Sequence, residues 1–148
     1  MMRKKLGLFK EENQDETLIT ALLSLMQKNK ADYTNTFLSL MKEKTSNDEL
    51  FQDSAFLDWH KQWEERLKQN KKPVGLSLNL MKKNNPLIIP RNHKVEEALE
   101  AASINDDLQP MFDLHEVLKN PYNNQSEIAA YQNIPGTNEQ AYKTFCGT

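Results

Sequence analysis

Apolar residues along most of this chain recur at steps of three and four positions, the spacing of one face of an α-helix. Alternation with a period of two, which is typical of strands, is short wherever it occurs. Two such helical stripes lie between residues 15 and 44, and each follows an aspartate that can cap a helix N-terminus, Asp15 and Asp32. Residues 15–44 are therefore predicted to form a helical hairpin.

The segment FLDWHKQWEERL places large apolar side chains along one helix face, at Phe56, Trp59, Trp63 and Leu67. This face is predicted to lie in the core. A pair of tryptophans can also form a platform for bases or a cage for a cation. That alternative is weaker, because no basic stripe accompanies the tryptophans.

Three further helices are predicted from proline positions and apolar spacing. One runs from Pro73 to Met81 and is ended by Asn85-Pro86, because the residue before a proline is disfavoured in the α region. The other two are a helix that Pro90 opens, marked by Val95, Leu99 and Ala102, and a helix over Asp107–Leu118, with Pro110 in its first turn and Met111, Leu114 and Leu118 inward.

Both ends of the chain differ from this pattern. Gly7 followed by Leu8 resembles a left-handed helix C-cap, yet only six residues precede Gly7, too few for a stable helix. A cut from a longer protein is the favoured explanation, and fraying at a natural terminus is the alternative. Turn-forming residues dominate from Asn120 onward. The tail over 120–148 is expected to be extended and to be anchored on the helices by Tyr122, Ile128, Tyr131 and Phe145.

The predicted fold is accordingly all-α: an irregular bundle of about six helices, reaching to about residue 119, with an extended C-terminal tail. A chain of 148 residues is the size of one ordinary domain, so a single helical domain over residues 1–148 is expected.

Composition narrows the class of protein. The formal net charge of −2 does not favour nucleic acid as a partner. No apolar run approaches the roughly 20 residues of a membrane span, so no membrane contact is expected. The single cysteine, Cys146, cannot form an internal disulfide, which favours a reducing, cytoplasmic location.

Residues that could perform chemistry are sparse. The three histidines are scattered, and the one helical pair that could form half a metal site is His93 with Glu97. The sequence contains no glycine-rich phosphate loop and no nucleophile elbow. We therefore predict no catalytic, cofactor-binding or metal-binding residue from the residues alone.

Arg91 departs from a local rule. It follows Pro90 where a helix is predicted to begin, and it places a cation near the positive end of the helix dipole, where carboxylates are preferred.

An ordered set of segments resembles the C-terminal region of the SelO family, also called YdiU. The set consists of MRKKLGL, ADYTNTFLSLM, FLDWHKQWEERL, NPLIIPRNHKVEEALEAA, MFDLHEVLKNPY, YQNIP and the terminal TFCGT. Members of this family are kinase-like proteins that transfer AMP to protein hydroxyls. One departure is NIPG at 133–136, where many relatives have a double proline, which leaves the path of the tail less certain.

The resemblance implies a part of an enzyme. In the family the lysine, the metal-binding Asn and Asp residues and the catalytic aspartate lie upstream, and none of those motifs is in this sequence. The chain would then be the C-terminal helical portion of a protein adenylyltransferase, inactive alone. It would support or regulate kinase-like lobes that bind ATP and Mg²⁺ and act on protein substrates. The alternative is a free-standing helical interaction module.

The resemblance also gives roles to three residues. Arg91 and Asn92 match the Arg-Asn of the family's Asn-Pro…Arg-Asn signature. The planar fork of Arg91 would form a structural clamp on a carboxylate or on carbonyls, and contact with a phosphate is the alternative. Cys146 lies where family members carry a terminal cysteine or selenocysteine, which suggests a redox latch with a second cysteine upstream, whereas a packed structural cysteine is the simpler interpretation.

Overall fold

The computed structural model describes residues 1–42, 49–123 and 128–133. Within these ranges all regular structure is helical, with no strand, which confirms the all-α prediction. Six helices have eight or more residues, as predicted, and three are short. In chain order the helices are α1 (Met2–Lys5), α2 (Asp15–Lys28), α3 (Tyr33–Leu40), α4 (Glu49–Gln52), α5 (Ser54–Lys68), α6 (Val74–Asn84), α7 (Asn92–Asn105), α8 (Gln109–Lys119) and α9 (Ile128–Gln132).

The chain divides into two compact units, Met1–Pro86 and Leu87–Thr148. The first contains α1 to α6 and the second contains α7 to α9. A single domain over the whole chain stays a prediction.

The core of the first unit is built around the aromatic face of α5. Phe56, Trp59 and Trp63 are all buried, and the two indole rings stack with centroids 6.0 Å apart and planes 5° apart. Each indole N–H donates to a backbone carbonyl, Trp59 to Leu18 at 2.8 Å and Trp63 to Leu6 at 3.0 Å. These buried rings confirm the prediction of a core face and are not available as a platform for a ligand.

Of the two aspartates that were predicted to cap a helix N-terminus, the structure confirms one and contradicts the other. Asp32 caps α3, since its carboxylate accepts from the Asn35 N–H at 2.8 Å. Asp15 was predicted as a cap, and this is wrong: it is the first residue of α2, and Gln14 precedes it as the cap without a side-chain bond. The carboxylate of Asp15 instead accepts from the guanidinium of Arg66.

The start of the chain confirms the left-handed C-cap. Gly7 has φ +75°, its N–H donates to the Lys4 carbonyl, and the Leu8 N–H donates to the Arg3 carbonyl at 2.9 Å. This pair of bonds is the Schellman arrangement, in which the residue after the glycine packs back on the helix. Leu8 is accordingly buried.

In the second unit, α7 and α8 pack against each other. The predicted start of α7 at Pro90 is wrong, because the helix begins at Asn92 and Arg91 is its cap. A left-handed residue, Asp106 with φ 52°, ends α7 before the short connection to α8. The prediction of proline in the first turn of α8 is confirmed.

One predicted inward position of this unit is also wrong, since Met111 is 36% exposed. Leu99 of α7 is 50% exposed as well. The buried positions are Ala98 on α7 and Leu114 on α8. The residue buried on α7 is thus the small Ala98, while the larger Leu99 beside it is half in solvent.

The tail prediction is confirmed only in part. Ile128 and Tyr131 of the short helix α9 are partly buried, whereas Tyr122 is exposed and is not an anchor. Phe145 lies outside the described residues.

Among the helices of the described ranges, none combines the length and the apolar character that crossing a bilayer requires.

Candidate functional site

The segment NPLIIPRN, residues 85–92, carries the candidate residues Arg91 and Asn92; its first two residues belong to the first unit and its last six to the second. At its start, in the first unit, Asn85 is buried and bonds twice to one residue. Its amide N–H donates to the Lys5 carbonyl at 2.9 Å, and its amide oxygen accepts from the Lys5 ammonium at 3.3 Å. Asn85 therefore ties the end of α6 to the end of α1.

The middle of the segment is held within the second unit. The N–H groups of Leu87 and Ile88 donate to the Pro121 carbonyl at 2.6 and 3.4 Å. The side chain of Gln132, on α9, donates to the Leu87 carbonyl at 2.9 Å. These bonds connect the chain before α7 with the chain after α8.

Arg91 occupies the cap position of α7 with extended backbone angles, φ −77° and ψ 133°. Its carbonyl accepts from the N–H groups of Lys94 and Val95, which are the first bonds of the helix. Its side chain makes no capping bond, and its Nε is shielded from solvent. Asn92 is exposed as the first residue of the helix. The cation thus stands just outside the first helical turn, with its inner guanidinium nitrogen sheltered.

A buried ion pair in the first unit was not predicted from the sequence. Arg66 and Asp15 are 3% and 1% exposed, and they meet through two bonds, Nε to Oδ1 at 2.6 Å and Nη2 to Oδ2 at 3.2 Å. Nη2 also donates to the Lys10 carbonyl at 2.9 Å, and Asp15 Oδ2 accepts from the Glu12 N–H at 3.1 Å. Such planar two-bond pairing is the geometry that arginine favours with a carboxylate.

One sequence signal could have indicated this pair. Arg66 continues the buried face of α5, three residues after Trp63. An arginine at a core-facing position needs a buried acceptor. The spacing predicts that an acceptor exists but not which residue provides it.

The carbonyls at the end of α1 receive a set of side-chain donors from distant residues. Asn85 donates to Lys5, Trp63 to Leu6, and Asn70 to Gly7 at 2.9 Å. Asn70 also donates to the buried Ser77 hydroxyl at 3.0 Å. The last carbonyls of a helix lack partners within it, so these donors replace water at a buried helix end.

Lys5 is a buried cation in an aromatic and amide setting. Besides Asn85, its ammonium lies 5.6 Å from the ring centre of Tyr33 and 5.4 Å from that of Phe37. Burial lowers the pKa of Lys5 and raises the pKa of the Tyr33 hydroxyl. The rings partly replace the hydration that burial removes from the ammonium.

A crevice of about 200 Å³ is lined by residues of α2 and α5, including Thr17, Gln62 and Glu65. Gln14 donates to Gln69 at 2.7 Å beside it. Arg66 contributes to its lining, but Asp15 and the Lys10 carbonyl already occupy the guanidinium. The crevice therefore offers amide groups and no free charge from Arg66.

The possible half-site for a metal is already engaged. Glu97 accepts from the Lys94 ammonium at 2.6 Å. Across the described parts of the chain, no three His, Cys, Asp or Glu side chains come together as a metal site would require. Cys146 lies outside the described residues, so its redox role stays a prediction.

Comparison with known proteins decides the family. A family model described as "Protein adenylyltransferase SelO" matches residues 1–119. The chain belongs to the SelO family. The resemblance drawn from the sequence segments is thereby confirmed.

Relatives of this SelO-family chain carry the name "Protein nucleotidyltransferase YdiU". One from Bacillus cereus (strain G9842) is 50% identical over 147 residues, and one from Bacillus cytotoxicus is 48% identical over the same length. One from Nitrosococcus oceani is 46% identical over 148 residues. These matches cover 99–100% of this chain but about 30% of each relative. The chain therefore spans less than a third of the length of the curated relatives it matches.

Proposed function

We propose that this chain is the C-terminal helical portion of a protein adenylyltransferase that transfers AMP from ATP to Ser, Thr or Tyr hydroxyls of proteins. In this proposal it supports or regulates kinase-like lobes that bind ATP and Mg²⁺, and it is inactive by itself. The observation that carries the proposal is the family match over residues 1–119, combined with relatives of which this chain covers only about 30%.

The geometry fits a supporting role. The polar side chains that are buried in the first unit bind other parts of the same unit: Asp15 binds Arg66, Asn85 binds Lys5, and Ser77 binds Asn70. Buried polar groups that satisfy one another fix the relative positions of helices. A unit built in this way presents a defined surface to whatever it contacts.

Within this proposal Arg91 acts as a structural clamp. Burial supports the clamp: the Arg91 side chain is half-buried with its Nε shielded from solvent, and a sheltered guanidinium needs protein acceptors in place of water. Contact with a phosphate of the nucleotide is the alternative. Asn92, exposed beside it, is proposed to contribute to the same clamp.

The two roles of Arg91 are separated by Arg91→Lys in a full-length protein, since lysine keeps the charge and loses the planar fork. For a clamp we expect a lower melting temperature with an unchanged KM for ATP. An unchanged melting temperature with a raised KM for ATP would instead show phosphate contact. Lys94→Arg, in the same helix turn, keeps the charge that pairs with Glu97 and is the control that should leave both quantities unchanged.

The function is tested by replacement. The matched region of the Bacillus cereus relative is exchanged for this chain, and AMP transfer to protein is measured with labelled ATP. We expect the exchanged full-length protein to transfer AMP and the isolated chain not to. Transfer by the isolated chain would contradict the proposal. A folded exchanged protein without transfer, when the unexchanged relative is active, would favour the free-standing helical module.

A further inference from the structure

Helix α8 is apolar over more of its circumference than its contact with α7 requires. Leu114, buried, and Val117 and Leu118, partly buried, share one side. A second apolar strip follows the spacing i, i+3, i+4 and is formed by Leu108, which caps the helix, Met111 and Phe112. We call these three residues the outer face of α8.

The outer face is exposed to solvent in this structure. Leu108 is 48% exposed, Met111 36% and Phe112 56%. Gln109 and Asp113 form a polar arc on another side of α8, where Gln109 donates to Asp113 at 2.7 Å. Glu116, one turn after Phe112, pairs with Lys119, so the outer face is limited to the first turn of the helix. The sequence thus provides α8 with its own hydrophilic side and still leaves three large apolar side chains in water.

The size of the outer face limits what can cover it. A separate protein, or a second copy of this chain, needs roughly 800 Å² per partner for a stable complex. Three side chains that are about half exposed supply much less than that. A covalently attached segment needs less area, because its effective concentration is of millimolar order.

The relatives provide such a segment. This chain covers about 30% of each, so more than two thirds of a full-length relative lies outside the matched region. We infer that the outer face of α8 is the surface on which that remaining part of the protein docks. The inference rests on the proposed function, since it takes the chain to work inside the longer protein.

The test compares the reactivity of one position in two settings. Phe112→Cys is made, together with Cys146→Ser, in the isolated chain and in the full-length protein in which this chain replaces the matched region of the Bacillus cereus relative. Alkylation by iodoacetamide is followed by mass spectrometry of the peptide that contains position 112. We expect alkylation to be at least tenfold slower in the full-length protein.

Asp113→Cys, exposed on the polar arc about 100° around the helix from Phe112, is the matched control and should react at the same rate in both settings. Equal rates for position 112 in the two settings would overturn the inference. So would protection in the isolated chain that increases with its concentration, because a second copy would then cover the face. Amide hydrogen exchange of α8 in the unsubstituted proteins repeats the comparison without a mutation, and equal exchange would likewise overturn it.

Failure of this inference and failure of the proposed function give different results. A full-length protein that transfers AMP while position 112 stays reactive contradicts the docking surface alone. A folded full-length protein that protects position 112 but transfers no AMP contradicts the function alone.

Discussion

Single residues in this chain are constrained mainly by the group that they bind across the fold. Asp15 is the clearest case, because its position before an apolar stripe indicates a helix cap while its carboxylate is used to neutralise Arg66, 51 positions away. A buried guanidinium needs this charge more than a helix start needs a cap, since water satisfies an exposed N–H. The ion pair therefore decides the orientation of Asp15.

The substitution Asp15→Asn tests this pair. The amide keeps the shape of the carboxylate but leaves Arg66 as a buried cation without a countercharge, so we expect a loss of about 3 kcal/mol in the free energy of unfolding. Urea unfolding followed by tryptophan fluorescence measures it. The control is Asp58→Asn, which removes the charged partner of Lys61 in an exposed ion pair on α5, the helix of Arg66. This variant should leave stability nearly unchanged. Similar losses for the two variants would contradict the structure at Arg66.

At the scale of the element, helix ends in the first unit are fixed by a mixture of local and distant bonds. The helix α1 has only four residues, too few to be stable alone. It exists because the Schellman bonds at Gly7 and Leu8 close it locally and Asn85, Trp63 and Asn70 bind its last carbonyls.

Gly7→Ala should destabilise the protein by about 2 kcal/mol, because a side chain is strained at a positive φ. The added Cβ would also lie 3.1 Å from the Ser77 Cβ and 3.2 Å from the Met81 Cγ, in a buried contact. The matched control is Gly75→Ala in α6, where a Cβ meets nothing within 4 Å. Because alanine is the better helix former, that variant should be neutral or more stable. Thermal unfolding by circular dichroism ranks the two, and the opposite order would show that α1 does not end as described.

Asp53 links the start of α5 to the end of α2 and makes stability depend on pH. Hydrogen bonds from Lys28 and Asn29, and then from the Ala55 N–H, lower the pKa of its carboxyl from 3.8 to about 2. A lowered folded-state pKa contributes stability above the unfolded value, and this contribution disappears as pH falls from about 4 to about 2.

We expect Asp53→Asn and Lys28→Met each to flatten the decline of stability between pH 4 and pH 2. The first removes the titrating group, and the second removes the largest cause of its shift. The measurement is the urea midpoint at several pH values across that interval. Curves that run parallel to that of the unsubstituted protein would show that the carboxyl of Asp53 is not held as described.

At the scale of the whole molecule, we propose that nucleotide binding belongs to the rest of the protein and not to this chain. The spacing of its four glycines matches no phosphate-loop motif, and the acidic side chains in the described ranges do not gather into a metal site. The isolated chain is therefore expected to bind Mg·ATP no more tightly than about 1 mM. Isothermal titration calorimetry measures this, and a Kd in the micromolar range would contradict the assignment of nucleotide binding to the rest of the protein.

The sequence by itself determined the features that depend on neighbouring residues. Apolar steps of three and four specified the helices and the buried face of α5, and the local chemistry of Asp32 and Gly7 specified a helix start and a helix end. It also marked the segment of Arg91 and Asn92, because a cation at a helix start conflicts with the dipole.

Only the tertiary structure decided which groups meet. Periodicity indicates which side of a helix is apolar but not which of its residues the packing buries, so Met111 was predicted to be inward and is partly in water. The partners of Arg66 and Asn85 lie 51 and 80 positions away, and no spacing rule reaches that far. The physical reason is that helix formation depends on bonds between near neighbours, whereas a buried charge or amide is satisfied by whichever partner the packing of helices brings to it.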